Sequence, residues 1–121
     1  MSHLPMILEL GVGSALRSRS YTKAACRAVR DALWRNSINL VEVFGTGKSS
    51  MQIKAEIACQ NPDAIDLTAV EAEFPYGNVT ATAVQGGLDI PNPNKPDQPS
   101  AIIAHAAIIV SLDVTKKERA A

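Results

Sequence analysis

Aromatic side chains are scarce in this chain. They make up 4% of its residues: one tryptophan, two tyrosines and two phenylalanines. A core without large rings must rest on small and β-branched side chains, which let backbones approach closely. The same scarcity removes the stacking platforms that single-stranded nucleic acid needs. Excess charge is missing too, because twelve basic residues balance twelve acidic ones. Bulk electrostatics therefore gives no pull toward nucleic acid. Cysteine is limited to Cys26 and Cys59. They lack a metal-ligand spacing and read as small buried hydrophobes in a reducing compartment rather than as a disulfide. With only His3 and His105 as histidines, no zinc-type ligand set forms, and neither metal nor cofactor is expected. No apolar run suits a membrane span. The start, MSHLPMILELGVG, has no basic segment followed by a long apolar stretch. No signal peptide is read there, and a cytoplasmic location is expected.

What remains is an ordinary globular mix. The chain has 121 residues, 46% hydrophobic and 20% charged. One domain over residues 1–121 is the expectation, with an ordered core from 6 to 113. A chain this short buries only roughly 65% of its unfolded surface, which favours self-association.

Hydrophobic periodicity supplies the elements. Met6, Leu8, Leu10 and Val12 alternate with Ile7, Glu9 and Gly11, predicting a strand with one buried face that ends at Gly11 and Gly13. Tyr21, Ala24, Ala25, Ala28, Val29, Ala32 and Leu33 recur every three or four residues, predicting a helix that sits close against a sheet. Ser20 or Thr22 caps its start, and Asn36 and Ser37 end it. Met51, Ile53, Ala55 and Ile57 alternate with Gln52, Lys54 and Glu56, a second half-buried strand. A short helix follows over Leu67 to Phe74, with Asp63 and Asp66 at its start and Pro75 as its stop. Val79 to Gln85 reads as a third strand, closed by Gly86 and Gly87. Asp89 to Ser100 carries four of the seven prolines and reads as a loop. Ala101 to Leu112 is nearly all apolar, the pattern of a strand covered on both faces. Residues 114–121 form a polar tail. The order β-α-β-α-β-β predicts an α+β sandwich, a mixed four-stranded sheet with helices on one face.

Candidate chemistry is thinly spread. Arg17, Arg19, Lys23, Arg27, Arg30 and Arg35 face a single acid, Asp31, within the first helix and the loop before it. Guanidinium and ammonium groups at this density suit an anionic ligand, with Lys23, Arg27 and Arg30 on one helical side, four and three residues apart. The alternative is a solvated helix face paired with acids such as Glu71 and Glu73. Arg17 lies in a loop beyond a strand end, where sites are commonly built. Phe44-Gly45-Thr46-Gly47-Lys48-Ser49 superficially suggests a phosphate loop, but Glu42 stands where the motif needs its first glycine. A connecting loop accounts for it better. His105, inside the most apolar strand, is either a core histidine or a proton carrier. Lys54 is either part of a solvated ladder with Glu56 or, under a partner subunit, a base of lowered pKa. Glu9 needs a partner if covered, with Arg17 and Lys54 as candidates.

Leu8-Glu9-Leu10-Gly11-Val12-Gly13, Thr22-Lys23-Ala24-Ala25 and Arg27-Ala28-Val29-Arg30-Asp31-Ala32 together resemble the Lin-type family of small conserved hypothetical proteins. Pro75-Tyr76-Gly77, Gly86-Gly87-Leu88 and Ala106-Ala107 extend the likeness from about Ile7 to Asp113. The family hallmark is glycine, any, glycine, any, aspartate, any, histidine, glycine. Here it runs Gly11-Val12-Gly13-Ser14-Ala15-Leu16-Arg17-Ser18. Both glycines of the opening stand, but Ala15 replaces the acid and Arg17 the histidine. A fainter similarity, through Gln52-Ile53-Lys54, is to one repeat of the ring-opening amidohydrolases, the cyanuric acid hydrolase and barbiturase group. Those enzymes bury a site between related units, and chorismate-mutase-like trimers do likewise. By analogy the chain is expected to form a homotrimer or a multiple of it.

The resulting expectation is a cofactor-free small-molecule enzyme of isomerase, cyclase or lyase type. It acts on an anionic or enolisable ligand at a subunit interface. Arg17, Lys54, His105 and Glu9 are the catalytic candidates, and Gly11, Gly13, Lys23, Arg27 and Tyr76 the ligand-binding ones. The alternatives are a non-catalytic oligomeric scaffold and a ring-opening hydrolase. No nucleic-acid or membrane partner is expected.

Overall fold

The computed structural model describes residues 3–16, 20–35, 52–74 and 77–113. Arg17, Tyr76, the Phe44–Ser49 stretch, the end of the first helix at Asn36 and the polar tail lie outside them. The chain runs β1 (His3–Ala15), α1 (Tyr21–Arg35), β2 (Gln52–Cys59), a 3-10 turn (Pro62–Ala64), α2 (Leu67–Glu71), β3 (Asn78–Gln85), β4 (Leu88–Ile90) and β5 (Ala101–Asp113). The expected α+β class holds. The sheet order is β1-β5-β2-β3, with β4 also paired to β5. β5 is antiparallel to β1, β2 and β4, while β2 and β3 are parallel. The chain thus leaves β1 through α1 and returns as β2, and β5 later fills the gap between them.

The sheet has five strands rather than four. β4 lies at the start of the stretch read as a proline-rich loop. Gly87, at φ +62°, turns the chain there, and Ser100 N–H donates to Ile90 O at 2.7 Å. The turn and that bond hold three residues beside β5, which proline content alone does not reveal.

A second difference concerns β1. It continues through Gly11 and Gly13 instead of ending at them. Its Leu row faces away from the helices: Leu8 is 63% exposed and Leu10 62%. The row beneath α1 is Glu9, Gly11, Gly13 and Ala15. A Cβ on Gly11 would lie 2.2 Å from Ala28 O, and one on Gly13 would lie 2.3 Å from Ala24 O and from Ala28 N. The glycines are there because the helix backbone rests directly on the strand.

The helix side of this contact follows the predicted stripe. Ala24, Ala25, Ala28, Val29 and Ala32 are fully buried. They meet Ile53, Ile57, Ile102, Ile108 and Val110 from the helix-covered face of the sheet. Ser20 Oγ accepts from Lys23 N–H at 3.1 Å, the predicted cap. Asp66 caps α2 by accepting from Thr68 and Ala69. Cys26 and Cys59 are free and buried, and burial pushes both thiols up, as expected of inert core cysteines.

Two side chains blunt the outer edge of β1. Val12 N–H donates to Asp31 Oδ2 at 3.0 Å, and Arg27 Nη1 donates to Ser14 O at 2.7 Å. On the opposite edge, Glu71 Oε2 accepts from Ala81 N–H of β3 at 2.9 Å. Occupied edge groups discourage strand-to-strand aggregation. Among the described residues nothing covers the face of the sheet away from the helices, so within them β5 is covered on one face rather than two.

Candidate functional site

Strand alternation and register together compose the open face. β1 supplies Leu8, Leu10 and Val12. β5 supplies Ile103, His105, Ala107, Ile109 and Ser111, with Leu8 opposite Ile109, Leu10 opposite Ala107 and Val12 opposite His105. β2 supplies Gln52, Lys54, Glu56 and Ala58, opposite Ser111, Ile109, Ala107 and His105. β3 supplies Thr80, Thr82 and Val84. The face is therefore divided. Its β1 and β5 half is apolar apart from His105 and Ser111. Its β2 and β3 half is mainly polar.

His105 stands at the boundary. It is exposed rather than a core histidine. It lines a concavity of about 210 Å³ with Glu56, Ala58, Leu10 and Gly11. A second, of about 230 Å³, places it beside Val12 and Asp31 at the β1 edge. Glu56 is diagonal to His105 across the β2–β5 pair, a spacing of about 7–8 Å between backbones that long side chains bridge. Neither side chain is engaged by another described residue.

The structure brings some predicted residues together and separates others. Lys54 and His105 share the open face but are four strand positions apart, about 13 Å. Glu9 is on the opposite face beneath α1, 3% exposed. It cannot meet Lys54 or His105, which corrects its expected place in a shared site. Gly11 and Gly13 serve helix packing, although Gly11 backbone also lines the two concavities beside His105. Lys23 and Arg27 are on α1, behind the sheet from His105. Arg30 pairs with Glu73 through two bonds of 2.6 and 2.9 Å. That pair lowers the Glu73 carboxyl and raises the guanidinium, so part of the basic helix is indeed a face paired with acids. Glu56 is the acid that sequence reasoning left out of the site. Its alternation with Lys54 was visible, but the β2–β5 register that sets it beside His105 was not. Among the described residues no cluster of metal-ligating side chains forms, and no helix is long and apolar enough to cross a membrane.

Glu9 has a measurable consequence. Its Oε2 finds no hydrogen-bond partner among the described residues, and burial raises its pKa above the ordinary carboxyl value. A raised folded-state value means its stabilising contribution is complete below the unfolded pKa. It is lost as pH rises through the folded one. Glu9→Gln is therefore expected to be more stable than wild type at pH 7.5, by about 1–3 kcal/mol. The two should converge near pH 4, as urea unfolding at both pH values would show.

At the N-terminus of α1, Tyr21 OH donates to Asp89 Oδ2 at 2.5 Å, tying β4 to the helix. Burial, with Asp89 second, pushes the Tyr21 phenol up to about 12.

The chain matches no curated protein. Its fold is similar to the crystal structure of an FtsZ-like protein of unknown function from Nostoc punctiforme. The two share 29% identity and a TM-score of 0.83, over 93% of this chain and 98% of that one. A family model described as a conserved hypothetical protein, Lin0512, matches residues 5–110. The glycine-floored strand and the alanine helix above it lie within that span, and the chain belongs to the Lin0512 family.

Proposed function

We propose that this protein is a self-associating, cofactor-free enzyme of isomerase, cyclase or lyase type. A second copy covers the apolar half of the open face, and the polar half lines the cleft left beside it. The observation that carries the reading is the division of the face at His105. Leu8, Leu10, Val12, Ile103, Ala107 and Ile109 form an uncharged surface, so two copies meet there without like-charge repulsion. Apolar faces of this kind mark interaction sites on soluble proteins. His105 and Glu56 at the boundary are suited to carry a proton between them once water is displaced by the partner. An imidazole and a carboxyl group are both workable proton carriers for an enolisable carbon.

The test is loss of the exchangeable C–H signal of 2-oxo and 3-oxo carboxylates in D₂O, followed by proton NMR. Wild type is expected to speed the exchange. His105→Asn and Glu56→Gln are each expected to slow it by about 10²–10⁴-fold. Exchange at the uncatalysed rate for every compound contradicts the enzyme reading. It would favour the oligomeric scaffold, which Ala15 supports: this fully buried alanine stands where the family hallmark has its acid.

A further inference from the structure

We infer that the open face carries an oxyanion-binding subsite anchored by Lys54, with Gln52, Thr80 and Ser111 as its neutral donors. The inference deepens the function proposed above by giving Lys54 a binding rather than a proton-transfer role. It rests on that reading only in sharing the same face.

A concavity of about 500 Å³ opens between β5, β2 and β3, away from His105. Among the described residues it is lined by Gln52, Ile53, Lys54, Thr80, Ile109 and Ser111. Register explains the grouping. Gln52 is opposite Ser111, and Lys54 is opposite Thr80. Gln52 and Lys54 are successive positions on one face of β2. Directly opposed side chains have Cβ atoms about 4.5–5.5 Å apart, so four donors from three strands converge on one volume.

Their chemistry has one sign. Lys54 brings a full positive charge with three N–H donors, Gln52 an amide NH₂, and Thr80 and Ser111 a hydroxyl each. No carboxylate lines the cavity among the described residues. None of the four side chains spends its donors on another described residue. Such a set is complementary to a carboxylate or phosphate, whose oxygens accept several bonds at once. Ile109 gives the cavity an apolar wall, which excludes water from one side of the guest and strengthens each polar contact. The subsite lies about 13 Å along the sheet from His105. That length suits an elongated ligand with a second, distal anionic group at Lys54, many bonds from the enolisable carbon at the His105–Glu56 boundary.

The test is an amide-resolved NMR titration of the full chain at constant ionic strength, with chloride as the reference salt. One arm uses inorganic phosphate and another malonate. Saturable shifts at Gln52, Lys54, Thr80 and Ser111, with Kd near about 1 mM or tighter, are expected in at least one arm. The tighter arm identifies the group. Lys54→Met is expected to weaken binding by about tenfold or more, Thr80→Val by less, and Lys54→Arg to retain most of it. Absence of saturable shifts in both arms overturns the subsite. So does saturation confined to α1, or an unchanged affinity in Lys54→Met. Because the readout is binding rather than exchange of a C–H, the subsite can fail while the proton chemistry stands, and the reverse.

Discussion

Gly13→Ala is expected to cost the protein most of its stability. The new Cβ would be 2.3 Å from two backbone atoms of α1, Ala24 O and Ala28 N, and 2.7 Å from Arg27 C. None of these is the flexible end of a side chain. The helix must lift from β1, and lifting it opens the layer formed by Ala24, Ala25, Ala28 and Ala32, all fully buried. Overpacking a core costs about 1–3 kcal/mol when side chains can yield. Here they cannot, so the loss belongs at or beyond the top of that range. Total stability for a domain is about 5–15 kcal/mol. Gly11→Ala should behave likewise, with Ala28 O at 2.2 Å and Ala32 N at 2.6 Å. Gly86→Ala is the informative contrast, because its closest neighbour is the Ala58 Cβ, at 2.7 Å, and the next atom is at 3.7 Å. Chemical unfolding followed by circular dichroism should rank Gly86→Ala well above the other two. A wild-type midpoint for Gly13→Ala would contradict the close helix–strand contact.

Leu10→Asp is expected to do the reverse, separating the copies while leaving the fold intact. Leu10 is 62% exposed in the single chain and opposes only Ala107 on β5, so folding asks little of it. In the proposed assembly it sits in the apolar half. Burying a leucine is worth about 1.5–3 kcal/mol, and the change is repeated in every copy of the proposed assembly. The added carboxylate must also be desolvated in each copy. Together these weaken association by about a thousandfold or more. Size-exclusion chromatography with light scattering should find a 12.9 kDa species for Leu10→Asp, with an unchanged circular dichroism spectrum. Equal masses for variant and wild type would place the contact elsewhere.

Much of this architecture was readable from residue order. The alanine stripe of α1 announced a close contact, and the alternation of Ile53, Ala55 and Ile57 with Gln52, Lys54 and Glu56 assigned both faces of β2. The covered face of β1 was not readable, for a physical reason. Alternation says that two faces differ but not which one is covered. The small row of Gly11, Gly13 and Ala15, not the larger leucines, is what an approaching helix backbone requires. Only the helix opposite them decides the matter. The candidate site was legible residue by residue and not as a set. His105 and Lys54 were singled out, but their separation, and the company of Glu56, Thr80 and Ser111, depend on β5 entering between β1 and β2. That long-range pairing leaves no periodic signature. Glu9 looked available because nothing local shows that α1 lies over it.

Sedimentation velocity of the wild-type chain at micromolar concentration decides whether the division of the sheet face has the meaning given to it. A species whose mass is a multiple of 12.9 kDa is the predicted result. A single boundary at 12.9 kDa, unchanged as concentration rises, would contradict it.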